Sequence, residues 1–517
     1  MIIWGMILDF KGVNHLRDIV IRLKQSKEVY EKIFEVLFWI AIMALITSII
    51  LIKPLNDLDE IWNYNFSKNI LEGRLPYKDF NIILTPLVPY IGAIFLGVFG
   101  NEMISMRLFA IIVDFLILFF SYKSLINLKI EKNLSKITIL GLVYILRIHF
   151  RIDYNFFSIL LLLVIIYLEI KNIKEQNYKN NIALGVMAGL CICSKHTIGM
   201  CISVVILFYQ VLFVKDKDSL NKYSKSFINR LIGLSIVISI LCIYFTIFNL
   251  WKDFIGYAIL GIKDFNNSIS YFKLITKGKW YIRALSIAVP IYLITNLVNI
   301  LIKILSRKEI DRFNVIILAY SWATFSIVFP ISDEIHFLIG CIPSIIGSVY
   351  IIYNKLLLNK KRIVFIETAS QVLTLYIVII AISGSVNLIK CFNRIDKQNQ
   401  INHFKLIPDS SYSRVKEVDE YVKNQNKDVY ILDASAALYT IPIDQYNKNY
   451  DMFNKGNLGT KGEEGIIEEL KNKQDFQILI LQDKYKKNWQ TPLKVIEYVK
   501  KEFNKEGSIG VFDIYKK

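Results

Sequence analysis

The sequence predicts an α-helical polytopic membrane protein of about eleven transmembrane helices carrying a small C-terminal soluble α/β domain. Three observations lead there. Of 517 residues 54% are hydrophobic, and they gather in runs near the bilayer-spanning length of about 20 residues. The 62 Lys and Arg outnumber the 44 Asp and Glu by 18, but they lie between the apolar runs, where the positive-inside rule expects them. This charge therefore reads as topology, and nucleic acid is not an expected partner. After Lys390 the composition becomes that of a water-soluble domain.

Taken in order, Met1 to Phe10 is apolar but too short to span, and no small-residue cleavage site follows, so no cleaved signal peptide is expected. Residues 1–33 form a cytoplasmic basic segment: from His15 to Ile33, apolar Leu16, Ile19, Leu23, Tyr30 and Ile33 recur at helical spacing among Arg17, Arg22, Lys24, Lys27 and Lys32. Residues 34–389 hold the spans, the first from Phe34 to Ile52, with an outer loop over 53–102. Leu84 to Phe99 is short, begins among Pro86 and Pro89, and reads as a second surface helix of that loop. Met103 to Tyr122 is then the second span. Nine more follow near Leu134–Ile148, Tyr154–Ile170, Ile182–Ser194, Ile198–Val214, Leu231–Leu250, Ala284–Leu305, Asn314–Phe329, Phe337–Tyr353 and Ile363–Ala381. The loops placed inside carry most of the Lys and Arg, which puts the N-terminus in the cytoplasm and the 390–517 domain outside. In that domain Val429–Leu432, Phe476–Leu481 and Ile509–Ile514 read as strands. Arg414–Val422, Glu463–Leu470 and Pro492–Phe503 read as helices. The six cysteines are scattered, five of them in or beside apolar runs, and predict neither a disulfide framework nor a metal cluster.

With this register, four polar clusters fall on the outer face. Asp59 and Glu60, with Asp79, lie in the opening loop, the first two in the first turn of a helix, where the dipole favours carboxylates. RIHFRIDYN brings Arg147, His149, Arg151 and Asp153; SKHTIG brings Lys195 and His196; SDEIHF brings Asp333, Glu334 and His336. Each has an ordinary reading alone: a helix cap, headgroup-binding arginines, a snorkelling lysine, a helix-end histidine. Arrival on one face from several span ends is what a cavity between helices requires, and charge at a membrane boundary is a functional candidate. Carboxylates beside fixed cations suit removal of a group from a lipid-linked phosphate. A carboxylate accepts the proton of an attacking hydroxyl, and Arg or Lys stabilises the departing phosphate.

At these residues the sequence resembles the integral-membrane glycosyltransferases of the GT-C type that use polyprenyl-phosphate sugars. It is most similar to the protein O-mannosyltransferases of glycosyltransferase family 39 and the aminoarabinose-to-lipid-A transferases. The matching stretches are Asp59, Glu60 and Trp62, then ILEGRLPYKDF and LTPLVPY, then Arg107, Arg151 to Asp153, GLCICSKHTIG around Lys195, and DEIHFLIGCIP. The chain departs from the pattern at Thr85 and Pro86, where a Pro pair is expected, and lacks an evident domain inserted in a later loop. The resemblance implies an inverting hexosyl- or pentosyltransferase with Asp59 as base and Glu60 beside it. Asp79, Arg147, Arg151, Asp153, Lys195, His196, Glu334 and His336 would bind substrate. The partners implied are membrane lipid, a polyprenyl-phosphate sugar as co-substrate, and an acceptor hydroxyl on a protein, lipid or cell-surface glycan. No metal ligand set and no cofactor is expected, a divalent cation being left open. A polytopic lipid or solute transporter is the alternative, against which stands the lack of a clear internal repeat.

Overall fold

The computed structural model describes residues 29–55, 57–174, 178–261, 269–356, 360–395, 400–408, 412–485 and 491–517. Most of the basic segment expected over 1–33 lies outside them. The chain enters through α1 (Val29–Ile52), then forms α2 (Leu58–Leu71) and α3 (Leu87–Phe99) in the opening loop. There follow α4 (Met103–Asn127), α5 (Lys132–Leu146), α6 (Tyr154–Lys174), α7 (Tyr178–Ser194), α8 (His196–Phe208) and α9 (Lys217–Ile247). The short α10 (Trp251–Phe254) and α11 (Phe272–Lys277) lead to α12 (Trp280–Leu305), α13 (Arg312–Phe325), α14 (Glu334–Leu356) and α15 (Lys360–Arg394).

Every segment expected to span is helical, but spanning length is not met by all eleven. Among the described residues eight helical segments are long and apolar enough to cross a membrane, α8 only with the turn that extends it to Phe213. The others, α5 with 15 residues, α7 with 17 and α13 with 14, fall short of the roughly 20 residues a straight span needs. The 13 residues of α3 reach only about 20 Å, too little to cross the hydrocarbon core.

Small residues let the helices approach. A Cβ on Gly185 of α7 would sit 2.0 Å from the carbonyl oxygen of Arg230, and one on Gly233 of α9 would sit 2.2 Å from that of Ile182. The two backbones thus touch across a glycine pair, the contact that packs helices tightly in lipid. The last helix is different: only 11% of the apolar window of α15 is buried, and it touches the bundle along α5 and where Gly384 meets Ser48 of α1.

Beyond α15 lie α16 (Tyr412–Lys423), β1 (Asp428–Ile431), α17 (Ala437–Thr440), α18 (Gly462–Asn472), β2 (Phe476–Leu481), α19 (Leu493–Glu502), β3 (Asn504–Ile509) and β4 (Phe512–Lys516). The sheet runs β1-β2-β4-β3, with β1 parallel to β2 and the other pairs antiparallel. The single strand expected over Ile509–Ile514 is instead the turn and flanks of a hairpin, because Gly510 adopts φ +55° between β3 and β4. Alternation sends successive side chains to opposite faces. Tyr430, Ile478 and Ile480 pack with Ile466, Val495 and Val499 of α18 and α19. Val429, Ile431 and Leu479 join a core that runs without a break into the helical bundle.

The glycine contact yields a test. Gly185→Leu should destabilise the detergent-solubilised protein by about 1–3 kcal/mol or more through overpacking, seen as a lower thermal midpoint by tryptophan fluorescence. Gly141→Leu in α5, where nothing lies within 4 Å of the new Cβ, should leave that midpoint unchanged or higher.

Candidate active site

At one end of the bundle the chain folds three carboxylates around a single guanidinium. Asp57 caps α2: one carboxylate oxygen accepts from the Asp59 N–H at 3.1 Å, the local bond that favours Asp before a helix. Its other oxygen pairs with Arg151, which lies in the short connection between α5 and α6. Arg151 also donates to Asp59 and approaches Asp153 at 3.4 Å. Asp153 is buried, and its second oxygen accepts from the Asn155 N–H at 2.6 Å where α6 begins. Lys53, at the end of α1, stands 3.7 Å from Asp57.

Lys195 joins this end from a turn one residue long. It is extended, with φ −147°, between the antiparallel α7 and α8. So abrupt a reversal requires Gly199, because a Cβ there would lie 2.3 Å from the nitrogen of Ile192. The ammonium donates to Asn155 Oδ1 at 2.7 Å and covers the ring of Tyr154. The start of α14 brings Asp333, which accepts from His336 at 2.8 Å, and Glu334, 3.9 Å from His149.

The titration of these groups follows from geometry. Burial pushes Asp59 up, Arg151 pulls it down, and Asp153 and Asp57 push it up again, leaving it at about 6. Asp57 feels burial too, but Arg151 and Lys53 hold it below the ordinary carboxylate range. Burial lowers Lys195 to about 8 against the pull of Asp153, Asp333 and Asp59, and lowers His149 to about 4 with help from Arg151 and Lys53. Polar atoms remain unspent here: the Arg151 Nε–H and the ring nitrogens His149 Nε2 and His196 Nδ1 have no hydrogen-bond partner. A quarter of the Asp59 side chain, 26%, stays open, which leaves the carboxylate reachable.

The expected residues divide accordingly. Asp59, Arg151, Asp153 and Lys195 are drawn together, with His336 close enough to act on Asp59, and Glu334 beside His149. His196 adjoins Lys195. Glu60 turns the other way: Arg107 grips it with two bonds, 2.6 and 3.0 Å, both side chains being almost wholly buried. Asp79 closes its own turn, accepting from the Leu75 N–H at 2.7 Å, and Arg147 bonds the carbonyl of Tyr144 and lies over its ring. Neither is hydrogen-bonded or ion-paired to the cluster among the described residues. Sequence reasoning counted Asp57 among the carboxylates of the opening loop but gave it no role, and passed over Asn155, which nothing marked. It also passed over Asp114, a fully buried carboxylate of α4 with both oxygens unpaired, whose place inside an apolar span was the available signal. No group of three or more His, Cys, Asp or Glu is arranged to hold a metal among the described residues.

The polytopic bundle, with its acidic first loop, two basic span ends and a domain covering that end, shares its fold with solved structures of another membrane protein. The particular likenesses agree. The structure of ArnT from Cupriavidus metallidurans bound to undecaprenyl phosphate has a TM-score of 0.54 at 10% identity, over 94% of this chain and 97% of that one. Its apo state has a TM-score of 0.57 at 10% identity, over 95% and 98%. At that identity the likeness is one of fold. Residues 84–252 match the family described as dolichyl-phosphate-mannose-protein mannosyltransferase, a stretch that holds Arg151, Asp153 and Lys195 but begins after Asp59. No curated protein sequence matches the chain.

The division between the adjacent carboxylates is testable. Glu60→Gln leaves the buried Arg107 charge uncompensated and should cost about 3–5 kcal/mol of stability. Asp59→Asn, at a partly open position, should change stability by less than about 1 kcal/mol. Thermal unfolding of the two variants side by side decides, and equal losses would contradict a structural pairing of Glu60 with Arg107.

Proposed function

We propose that this chain transfers a sugar from a polyprenyl-phosphate donor to an acceptor hydroxyl at the outer face of the membrane, with Asp59 as general base. The observation that carries the reading is Asp59 itself: a reachable carboxylate raised to about 6, held by Arg151 at the end of the bundle where Lys195 and unspent polar atoms converge. A base poised near neutral pH is ionised in use yet still takes a proton. The fold shared with a protein whose structure holds undecaprenyl phosphate supports the class of donor.

The step is a single displacement. The acceptor O–H gives its proton to an Asp59 oxygen while the acceptor oxygen forms a bond to the anomeric carbon. The bond from that carbon to the phosphate oxygen breaks, and the phosphate leaves with the electron pair, so the configuration inverts. Lys195 uses one bond on Asn155 and keeps further N–H donors for the leaving phosphate. Arg151 Nε and His196 Nδ1 supply more, and such charge-assisted bonds strengthen as charge develops. Glu334 and His336, at the start of α14, stand at the same end and would bind substrate. The chemistry calls on no cofactor besides the lipid-linked sugar, and an EDTA arm in the assay reads any contribution of a divalent cation. The acceptor is a hydroxyl of a protein, lipid or cell-surface glycan.

Asp59→Asn should lower turnover by a factor on the order of 10² to 10⁴ with donor affinity retained, measured as release of free lipid phosphate from a panel of polyprenyl-phosphate sugars. Lys195→Ala should instead weaken donor binding. A fully active Asp59→Asn protein would remove the proposed base.

The pH profile follows in sign. Asp59 serves as base only when ionised, so kcat/KM should rise through about pH 6. Lys195 attracts phosphate only when charged, so kcat/KM should fall as pH passes about 8. A profile flat from pH 5 to 9 would contradict both roles.

A further inference from the structure

A second polar centre lies at the opposite end of the bundle. From Asp153, where α6 starts, to Glu169 near its end is about 24 Å along the helix. There the ends of α6 and α8 meet the starts of α7, α9 and α13 around a cavity of about 320 Å³. Its floor is a finished network. Glu169 receives both terminal nitrogens of Arg230 at 2.8 and 2.9 Å, together with the hydroxyls of Tyr209 and Tyr320 at 2.7 and 3.0 Å. Asn181 accepts from Arg230 Nε at 3.0 Å and from Ser226 at 2.9 Å. Every one of these side chains is buried, and the Glu169 and Arg230 charges cancel. Such a base is rigid and neutral.

The rim differs. Lys222 and Lys225 of α9 and Arg312 of α13 line the same cavity, and none of the three forms an ion pair among the described residues. Arg312 rests over the ring of Phe213, 5.4 Å from its centroid. The nearby carboxylate of Asp216 is taken up in capping α9, accepting from the Ser219 N–H at 2.7 Å. Hydroxyl and amide groups of Ser219, Tyr223 and Asn229 complete the polar wall, while Ile173 and Val214 make one side apolar. Val211, Leu212 and Leu220, exposed on the adjoining turns, extend that apolar side along the outside of the bundle.

We propose that this cavity binds the phosphate-bearing headgroup of an anionic membrane lipid, at the membrane face opposite the Asp59 cluster. Three rim cations, none in an ion pair among the described residues and only Lys222 near a carboxylate, Asp216, surround a neutral floor and together favour an anion. Their position at the ends of spans, beside an exposed apolar strip, gives acyl chains a path that a soluble phosphate would not use. The site is separate from the transferase chemistry and does not depend on it.

The test is binding of radiolabelled phosphatidylglycerol to the full-length, detergent-solubilised chain. Wild type should retain it over phosphatidylcholine, and the triple variant K222Q/K225Q/R312Q should lose affinity by about ten-fold or more. These side chains are exposed at the rim, so the fold should survive, and an unchanged thermal midpoint verifies that. A second triple variant, K303Q/R307Q/K308Q, removes cations from the end of α12 and the connection to α13, outside the cavity, and should bind as wild type does. Equal loss in both triples, or no preference over phosphatidylcholine, would overturn the site. Displacement of the lipid by millimolar inorganic phosphate alone would overturn its assignment to a lipid.

Discussion

One guanidinium shared by three carboxylates cannot neutralise them all, and the rest of the site depends on how that shortage is distributed. Asp57 has a backbone N–H and the ammonium of Lys53 in addition to Arg151. Asp153 has the Asn155 N–H at the start of α6. Asp59 has Arg151 and the more distant His336, and burial, with Asp153 and Asp57 close by, raises its carboxyl to about 6. The same contact ties together the end of α1, the start of α2 and the connection before α6, segments almost a hundred residues apart in sequence. Pairing and titration are thus two consequences of a single arrangement.

The helix that carries Asp59 is held on several sides. Below, the buried Glu60 and Arg107 pair pins its first turn to α4, and Arg107 also donates to the carbonyl of Lys53 at 2.6 Å. Above, the α/β domain closes over it: Trp62 donates to the carbonyl of Ala434 at 2.8 Å, and the buried Lys68 reaches Glu72, Asp444 and Tyr446. Asn81, in the same loop, donates to the carbonyl of Asn457 at 2.9 Å. The domain therefore acts as part of the wall of the site, and its sheet shares a continuous core with the spans beneath.

Much of this was legible because a bilayer imposes strong rules. Alternating charge fixed which span ends lie together, and Asp59, Arg151, Lys195 and Asp333 do meet at one end. What escaped was whatever depends on side-chain direction. A carboxylate that returns to its own turn, as Asp79 does, has the same one-letter code as one that faces a cavity. Adjacent Asp59 and Glu60 were separable only by packing, since nothing but the fold brings Arg107 under the second. The role of Asp57 was hidden because its second oxygen is filled by a residue 94 positions away. The hairpin at Gly510 was read as one strand because its apolar residues continue across the turn. Three of the expected spans fall on helices of 15, 17 and 14 residues because apolar character, without length, is what a hydropathy pattern reports.

The loosely packed last helix has a mechanical consequence. With 35 residues, α15 is about 52 Å long, well beyond the roughly 30 Å of a hydrocarbon core, and few of its side chains belong to the common interior. A thinner or thicker bilayer is therefore absorbed most cheaply by changing the tilt of α15, a cost of fractions of a kcal/mol per ångström of mismatch. The domain that follows keeps its seat through its own contacts with the opening loop. The Asp59 end of the molecule is in this way insulated from membrane thickness, and α15 serves as a compliant mooring line.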